Sequence, residues 1–135
     1  DARSPEDYAA WMAERKAEAA RAKELSGKTW SREELLARGE KAYLSTCAAC
    51  HQPTGAGLPP MFPALNGSKI ATGPRAGHIE RVFDGKPGTA MPAFGKQLSD
   101  VDLAAIITYE RNAWDNKLGD MVTPQDIAAF RNAAK

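Results

Sequence analysis

Apolar residues recur three and four positions apart in several segments of this chain, which is the spacing of one face of an α-helix. Helices are predicted over residues 1–25, from Ser31 into the cysteine pair, up to a stop at Gly85, over residues 99–113 and after Thr123. No segment alternates apolar and polar residues as a half-buried strand would, and there is no internal repeat. The pattern therefore predicts an all-α chain.

Capping signals place the starts of two helices. Ser31 and Glu34 form a capping box, and Trp30 is positioned to pack on Leu35. The segment Ser99–Asp102 carries the same signal. The first helix is different, because its only large apolar residues form a thin stripe, and it is expected to fray when alone.

Two irregular loops interrupt the helices. Residues 52–72 are rich in Pro and Gly and show no regular period, and residues 88–95 form a second Gly- and Pro-bounded loop. A long loop inside a small domain usually wraps something. Two irregular loops in a chain of 135 residues thus suggest a bound group.

Composition and charge narrow the functional classes. A chain of 135 residues fits one domain with an appendage, and a net charge of +1 gives no indication of nucleic-acid binding. The longest stretch without Asp, Glu, Lys or Arg, residues 42–68, contains too many Pro and Gly residues for a membrane helix. Residues 69–97 carry five basic and two acidic residues, a surplus that suits either a solvated face or an acidic partner. The chain begins at Asp1 without a visible signal peptide, as expected of a processed protein or a fragment.

The segment Cys47-Ala-Ala-Cys-His51 holds both cysteines of the chain. A structural zinc site needs four ligands, and only His78 remains to complete one. A redox dithiol normally belongs to a fold with strands, which are not predicted here. Cys-x-x-Cys-His is the signature of covalent haem attachment, with both thiols bonded to porphyrin vinyl groups and the histidine beneath the iron. We therefore predict one covalent haem c, with Cys47 and Cys50 as anchors and His51 as the proximal ligand.

The sixth ligand of the iron decides between electron transfer and chemistry at an open metal. Met91 lies in the second loop, far enough along the chain to return to the opposite face of a haem, and is the predicted distal ligand. Met61 is expected to fill the core, and His78, with polar neighbours at the start of a helix, is expected to be partly exposed. With both axial positions filled, the chain is predicted to be an electron carrier and not an enzyme by itself.

The cysteine motif, the Pro-rich loop, Met91-Pro92 and the last long helix together resemble class I c-type cytochromes over about residues 27–113. The resemblance implies that Gly39 faces aromatic residues where two helices cross. It also implies that the Pro63 carbonyl accepts a hydrogen bond from the proximal histidine, a contact that orients that ligand.

Residues 77–116 and 119–130 also resemble the cytochrome domain that closes subunit II of caa3-type cytochrome c oxidases, and residues 4–16 resemble the segment just before it. This resemblance implies a linker over residues 1–26, a cytochrome c domain over 27–116 and a tail with a short helix over 117–135. It implies electron input from a cytochrome c or a bc1-type complex and output to the copper-A domain of subunit II. It further implies a periplasmic location, at the outer face of the bacterial cytoplasmic membrane, with a membrane tether through the parent protein only.

Two other interpretations remain open. A freestanding periplasmic cytochrome c, or the haem domain of a periplasmic dehydrogenase, would use the same haem chemistry. An enzyme or gas sensor with an open haem would require that Met91 does not bind iron.

Overall fold

The computed structural model describes residues 4–133, and of residues 21, 22 and 24–26 it describes only the backbone. The helices are α1 Pro5–Gly27, α2 Arg32–Thr46, α3 Ala48–His51, α4 Arg75–Asp84, α5 Asp100–Asn112 and α6 Pro124–Ala133, with a 3₁₀ helix at Phe94–Lys96. Residues 4–133 contain no strand beyond one isolated bridge, between Leu58 and Phe62. The all-α prediction is confirmed, and the first three residues of the first predicted helix lie outside the described range.

The predicted helix starts are present. Ser31 Oγ accepts from the Glu34 backbone N–H at 3.1 Å, and Glu34 Oε1 accepts from the Ser31 N–H at 3.1 Å, which completes the capping box of α2. At the start of α5, Ser99 Oγ accepts from the Asp102 N–H at 3.1 Å. Each cap satisfies backbone donors that a helix start leaves unpaired.

Helices α2 and α5 cross at very close range. A Cβ added to Gly39 would lie 2.0 Å from the carbonyl oxygen of Ala105 and 2.8 Å from Cβ of Tyr109, so only glycine allows this approach. One turn farther along α2, buried Tyr43 packs on Tyr109 and Trp114, with ring centroids 5.4 Å apart in both pairs. The crossing is the one that the cytochrome c resemblance implies.

Helix α5 is the centre of the core, and α2, α4 and α6 pack around it. The largest fully buried apolar side chains are Tyr43, Leu35, Leu103, Ile106, Ile107 and Ile127. Because α5 is covered on several sides, most of its residues are buried and its sequence carries only a weak amphipathic pattern.

Residues 113–123 return along α5 before α6 begins. Thr108 Oγ1 donates to the Val122 carbonyl at 3.0 Å and accepts from the Val122 N–H at 2.9 Å. Arg111 holds Asp120 by two N–H donors, Nε at 3.0 Å and Nη2 at 2.9 Å. Met121 packs against the core. Residues 113–123 are therefore bound firmly to α5, while the division of the chain at 26 and 116 stays a prediction.

Helix α1 lies on the outside of this core and contacts α5 and α6. Its aromatic residues Tyr8 and Trp11 are exposed and contact each other, with ring centroids 5.9 Å apart. None of the helices within residues 4–133 combines the length and the apolar character needed to span a membrane.

Candidate functional site

The cysteine motif lies where α2 ends and the single turn of α3 follows. The Cys47 N–H donates to the Tyr43 carbonyl at 2.8 Å, and the His51 N–H donates to the Cys47 carbonyl at 3.0 Å. Cys47 and Cys50 are therefore separated by about one helical turn, the spacing predicted from the sequence. Both are free thiols, Cys47 buried and Cys50 exposed.

The surroundings of Cys47 keep its thiol protonated. Burial raises the pKa of Cys47 well above its usual range, and the nearby carboxylate of Glu110 and thiol of Cys50 raise it further. Burial also raises the pKa of Tyr43, whose hydroxyl donates to the Gln52 carbonyl at 2.6 Å. The wall behind the motif is thus apolar and tightly packed, apart from one carboxylate.

His51 is oriented by the loop that follows it. Its Nδ1 lies 2.9 Å from the carbonyl oxygen of Pro63. A carbonyl can only accept, so Nδ1 carries the proton and Nε2 keeps a free lone pair. The same turn depends on Gly57, where φ is +62° and an added Cβ would lie 2.6 Å from the Pro63 oxygen. The contact implied for Pro63 is therefore present.

The remainder of the first loop is fastened to the end of α5. Trp114 Nε1 donates to the Pro53 carbonyl at 3.0 Å, and the face of its ring closes on Gly55. Asn116 bonds twice to the loop, accepting from the Gly67 N–H at 2.7 Å and donating to the Leu65 carbonyl at 3.1 Å. Sequence reasoning missed both residues because their partners lie 49 to 61 positions away in the chain. The only local signal was the presence of a Trp and an Asn just after the helix.

A cavity of about 360 Å³ opens beside the motif, within the usual size range of cofactor sites. It is lined by all five residues that the sequence singled out, Cys47, Cys50, His51, Pro63 and Met91. Apolar side chains such as Leu65, Val82 and Phe94 form much of the remaining wall. Two thiols, one histidine with a free Nε2 and a thioether at an apolar cavity match the chemical needs of a covalently attached haem.

Met91 is presented by a tight loop at the end of α4. Its carbonyl accepts from the Lys86 N–H at 3.3 Å, and its N–H donates to Thr89 Oγ1 at 3.3 Å. The loop presses so closely on Gly85 that an added Cβ would lie 2.7 Å from the Met91 oxygen. Gly85, which the sequence predicted as the end of a helix, therefore also leaves room for the Met91 loop to pack closely.

Met61 corrects one expectation. It was expected to fill the core, but its side chain is 77% exposed at the edge of the cavity. The surrounding residues, including Leu58, lie in a surface loop, and Leu58 is also exposed. These apolar side chains are exposed because the Pro-rich loop lies on the surface. A buried loop would leave its backbone N–H and C=O groups without hydrogen-bond partners.

His78 corrects a second expectation. It was expected to be partly exposed, but it is 2% exposed, on the face of α4 that also buries Ile79 and Val82. Its Nε2 lies 2.8 Å from Oε1 of Glu110, and its Nδ1 lies 3.5 Å from Arg111. Both His78 and Glu110 line the cavity. The spacing of residues 78, 79 and 82 signalled the burial, but the carboxylate partner on α5 was not visible in the sequence.

A zinc site finds no support in this arrangement. The only histidine available to complete it, His78, is engaged by Glu110. Across residues 4–133, no group of three or more His, Cys, Asp and Glu residues is arranged to hold a metal ion.

Comparison with known proteins identifies the family. The model of the family described as cytochrome c oxidase, cbb3-type, subunit III matches residues 34–109. The cytochrome c subunit of the quinone alcohol dehydrogenase of Gluconobacter oxydans is 31% identical over 103 residues, which is 69% of this chain and 22% of that protein. The cytochrome c subunit of gluconate 2-dehydrogenase from Pantoea cypripedii is 28% identical over 104 residues, 69% of this chain and 24% of that protein.

A third relative is a cbb3-type oxidase subunit. The subunit CcoP of Azospirillum sp. is 32% identical over 92 residues, 61% of this chain and 30% of that protein. The chain thus spans less than a third of the length of these curated relatives.

The family match covers more than half of the chain, so the chain belongs to the cytochrome c family. Members of this family carry a covalently bound haem c and transfer electrons. The cofactor prediction is confirmed, and so is the coarser functional prediction, an electron-transfer haem c domain. The related proteins are subunits of larger oxidoreductase complexes.

Proposed function

We propose that this chain carries electrons through a haem whose iron has both axial positions filled, by His51 Nε2 and Met91 Sδ. In this arrangement Cys47 and Cys50 each add S–H across one vinyl group of the porphyrin and form a thioether. The observation that carries the proposal is the hydrogen bond from His51 Nδ1 to Pro63, at a cavity that Met91 also lines. That bond leaves the lone pair of His51 Nε2 free to bind a metal, and it increases the donor strength of Nε2.

Met91 supplies the second half of the proposal. A thioether ligand favours reduced iron and raises the reduction potential. With His51 and Met91 both holding the iron, a bound haem would have no coordination position left for a substrate, and it would supply electron transfer alone. The exposed side chain of Met61 lies at the edge of the cavity, and exposed Leu58 precedes it by three residues; such apolar side chains suit a contact that forms and dissociates quickly.

The charges around the cavity suggest how a partner docks. Arg81 and Lys86 line it, and Lys69 belongs to the same basic stretch. A basic rim around an apolar contact fits an acidic redox partner and speeds its association at low salt. The proposed acceptor is the copper-A domain of an oxidase subunit II, and the proposed donor is a cytochrome c or a bc1-type complex.

The oxidase assignment rests on the resemblance of residues 77–116 and 119–130 to subunit II of caa3-type oxidases. With it come the proposed linker over residues 1–26 and a periplasmic position tethered through the parent protein. The well-packed segment 113–133 is consistent with a tail that belongs to the domain.

A second candidate is the haem domain of a periplasmic dehydrogenase. It is favoured by the names of two relatives, the cytochrome c subunits of a quinone alcohol dehydrogenase and of gluconate 2-dehydrogenase. The haem chemistry is identical, and only the partners differ.

Carbon monoxide tests the iron ligands. The dithionite-reduced wild type is expected to show an unchanged visible spectrum under carbon monoxide, and Met91→Ala is expected to show a shifted one. Met61→Ala is the matched control, because Met61 also lines the cavity but is exposed. A shifted wild-type spectrum would return the open-haem enzyme or sensor to consideration.

Stopped-flow mixing tests the partner. Reduced protein is mixed with an oxidised soluble copper-A domain and, separately, oxidised protein is mixed with a quinone-dependent dehydrogenase subunit that its substrate has reduced. Fast, salt-sensitive oxidation by the copper-A domain supports the oxidase assignment. Lys86→Glu should slow it, whereas Lys16→Glu on α1 should not. Exchange with the dehydrogenase subunit alone would favour the second candidate.

A further inference from the structure

The segment that leaves the Met91 loop is held in place from α6, which lies beyond the residues matched by the family model. Arg131 of α6 donates to the carbonyl oxygens of Gly95 and Leu98, and its Nε donates to Asp100 Oδ1 at 2.9 Å. One guanidinium thus joins the 3₁₀ turn after Met91 to the first residue of α5. The planar fork of an arginine suits several acceptors at once.

The aromatic residues around Arg131 strengthen this junction. Its guanidinium carbon lies 4.8 Å from the centre of the Phe83 ring at the end of α4. Phe130 meets the same ring edge to face, with centroids 5.1 Å apart. Gly95 lies so close to Phe83 that an added Cβ would be 2.5 Å from the ring. The return segment is therefore enclosed between α4 and α6.

The two ends of the Met91 loop are held by different means. The beginning is fixed locally, by Lys86 and Thr89, as described above. The end has Phe94 in the wall of the cavity, and Arg131 of α6 hydrogen-bonds to the carbonyls that follow. If this end moves, Met91 moves with it.

We propose that Arg131 is a positioning residue for Met91, and that α6 sets how readily the Met91–iron bond opens. The proposal rests on the ligation of iron by Met91 proposed above. Arg131 touches neither the iron nor Met91 in this arrangement; it acts through Gly95, Leu98 and Asp100. Loss of its hydrogen bonds should raise the fraction of protein in which Met91 has left the iron.

Imidazole added to the oxidised protein tests the proposal, because it binds ferric haem only when the thioether has dissociated. Arg131→Ala is expected to bind imidazole about tenfold faster than wild type, because the loop end loses its charge-assisted hydrogen bonds; this factor corresponds to about 1.4 kcal/mol. The ferric iron–thioether absorption band should also disappear at lower temperature. Arg131→Lys keeps the charge with fewer hydrogen-bond donors, so its rate of imidazole binding should lie between those of wild type and Arg131→Ala.

Arg38→Ala is the matched control. Arg38 also pairs with an aspartate of α5, at 2.8 Å from Asp102, with similar exposure, but it joins α2 to α5. If Arg38→Ala and Arg131→Ala lose equal thermal stability and both bind imidazole faster by the same factor, Arg131 has only a general stabilising role and the proposal is overturned. An unchanged rate in Arg131→Ala and Arg131→Lys would also overturn it. If Arg131→Ala does not fold, Arg131→Lys decides.

Failure of the underlying ligation gives a different result. A wild type without the thioether band, with the same imidazole kinetics as Met91→Ala, would overturn both proposals. A wild type with the band that Met91→Ala loses, combined with no effect at Arg131, would overturn only the positioning role.

Discussion

His51 Nδ1 lies 2.9 Å from the carbonyl oxygen of Pro63, twelve residues farther along the chain. This bond leaves Nε2 free and fixes the plane of the ring. It exists because the loop after the cysteine motif turns back on itself at Gly57, where an added Cβ would lie 2.5 Å from the Phe62 oxygen and 2.6 Å from the Pro63 oxygen. The orientation of His51, the proposed proximal ligand, therefore depends on Gly57.

Gly57→Ala is expected to disturb this arrangement. Its φ of +62° strains any residue with a side chain, and the new Cβ would lie 2.5 Å from the Phe62 oxygen. We expect a loss of roughly 1–3 kcal/mol in the free energy of unfolding and a higher reduction potential, because His51 loses donor strength with its hydrogen bond. Denaturant titration and redox titration measure the two effects.

Gly67→Ala is the control for that variant. Gly67 has a φ of +76° but no neighbouring atom within 4 Å of an added Cβ. Gly67→Ala should lower the free energy of unfolding through backbone strain alone and leave the reduction potential unchanged. Equal shifts of the potential in both variants would contradict the role given to the Pro63 contact.

Gly39→Ala tests the crossing of α2 and α5. The new Cβ would lie 2.0 Å from a backbone oxygen that cannot rotate away, so the helices must separate. We expect a loss of at least about 3 kcal/mol, at the upper end for overpacked cores. Gly77→Ala in α4, with no atom within 4 Å of its Cβ, should instead be neutral or stabilising by about 0.5–1 kcal/mol. Similar thermal shifts in the two variants would be inconsistent with this packing.

His78→Ala tests the buried pair with Glu110. The carboxylate would remain in the cavity wall without its 2.8 Å partner, and such truncations cost about 3 kcal/mol or more. A double-mutant cycle with Glu110→Gln, followed by urea unfolding, measures the coupling. A coupling energy near zero would mean that the two side chains are stabilised independently.

Asp120 gives the chain a pH dependence. Hydrogen bonds and charge from Arg111, with a smaller contribution from Arg75, hold the pKa of Asp120 below its ordinary value of 3.8. The folded protein binds this proton more weakly than the unfolded chain does. The stabilisation is therefore complete above about pH 4 and is lost as the pH falls through the folded pKa.

Asp120→Asn should remove that dependence. Thermal unfolding of wild type and variant between pH 2 and pH 6 would measure it, and the difference between the two should shrink toward the acid end. A constant difference across the range would show that the Arg111 contact does not depend on the charge of Asp120.

The sequence located the helices because their signals are local. The capping box at Ser31 and the helix stop at Gly85 are both present where the sequence placed them. Spacing also placed both thiols and His51 on adjacent turns. The errors concern burial: His78 is enclosed and Met61 is exposed. Burial depends on which element covers a face, and for His78 that element is α5, whose Glu110 is 32 residues away.

By itself, therefore, the sequence determined the all-α class and the covalent haem, and it predicted the residues that attach it, because a cysteine pair one turn apart and a neighbouring histidine are fixed by local geometry. Only the tertiary structure decided how those residues are supported. The ring of Trp114 on Gly55 and the hydrogen bonds from Arg131 to the carbonyl oxygens of Gly95 and Leu98 join residues distant in the chain, whereas the Pro63 contact on His51 was implied by the family resemblance. Such contacts form only after the helices have packed, so no local sequence pattern predicts them.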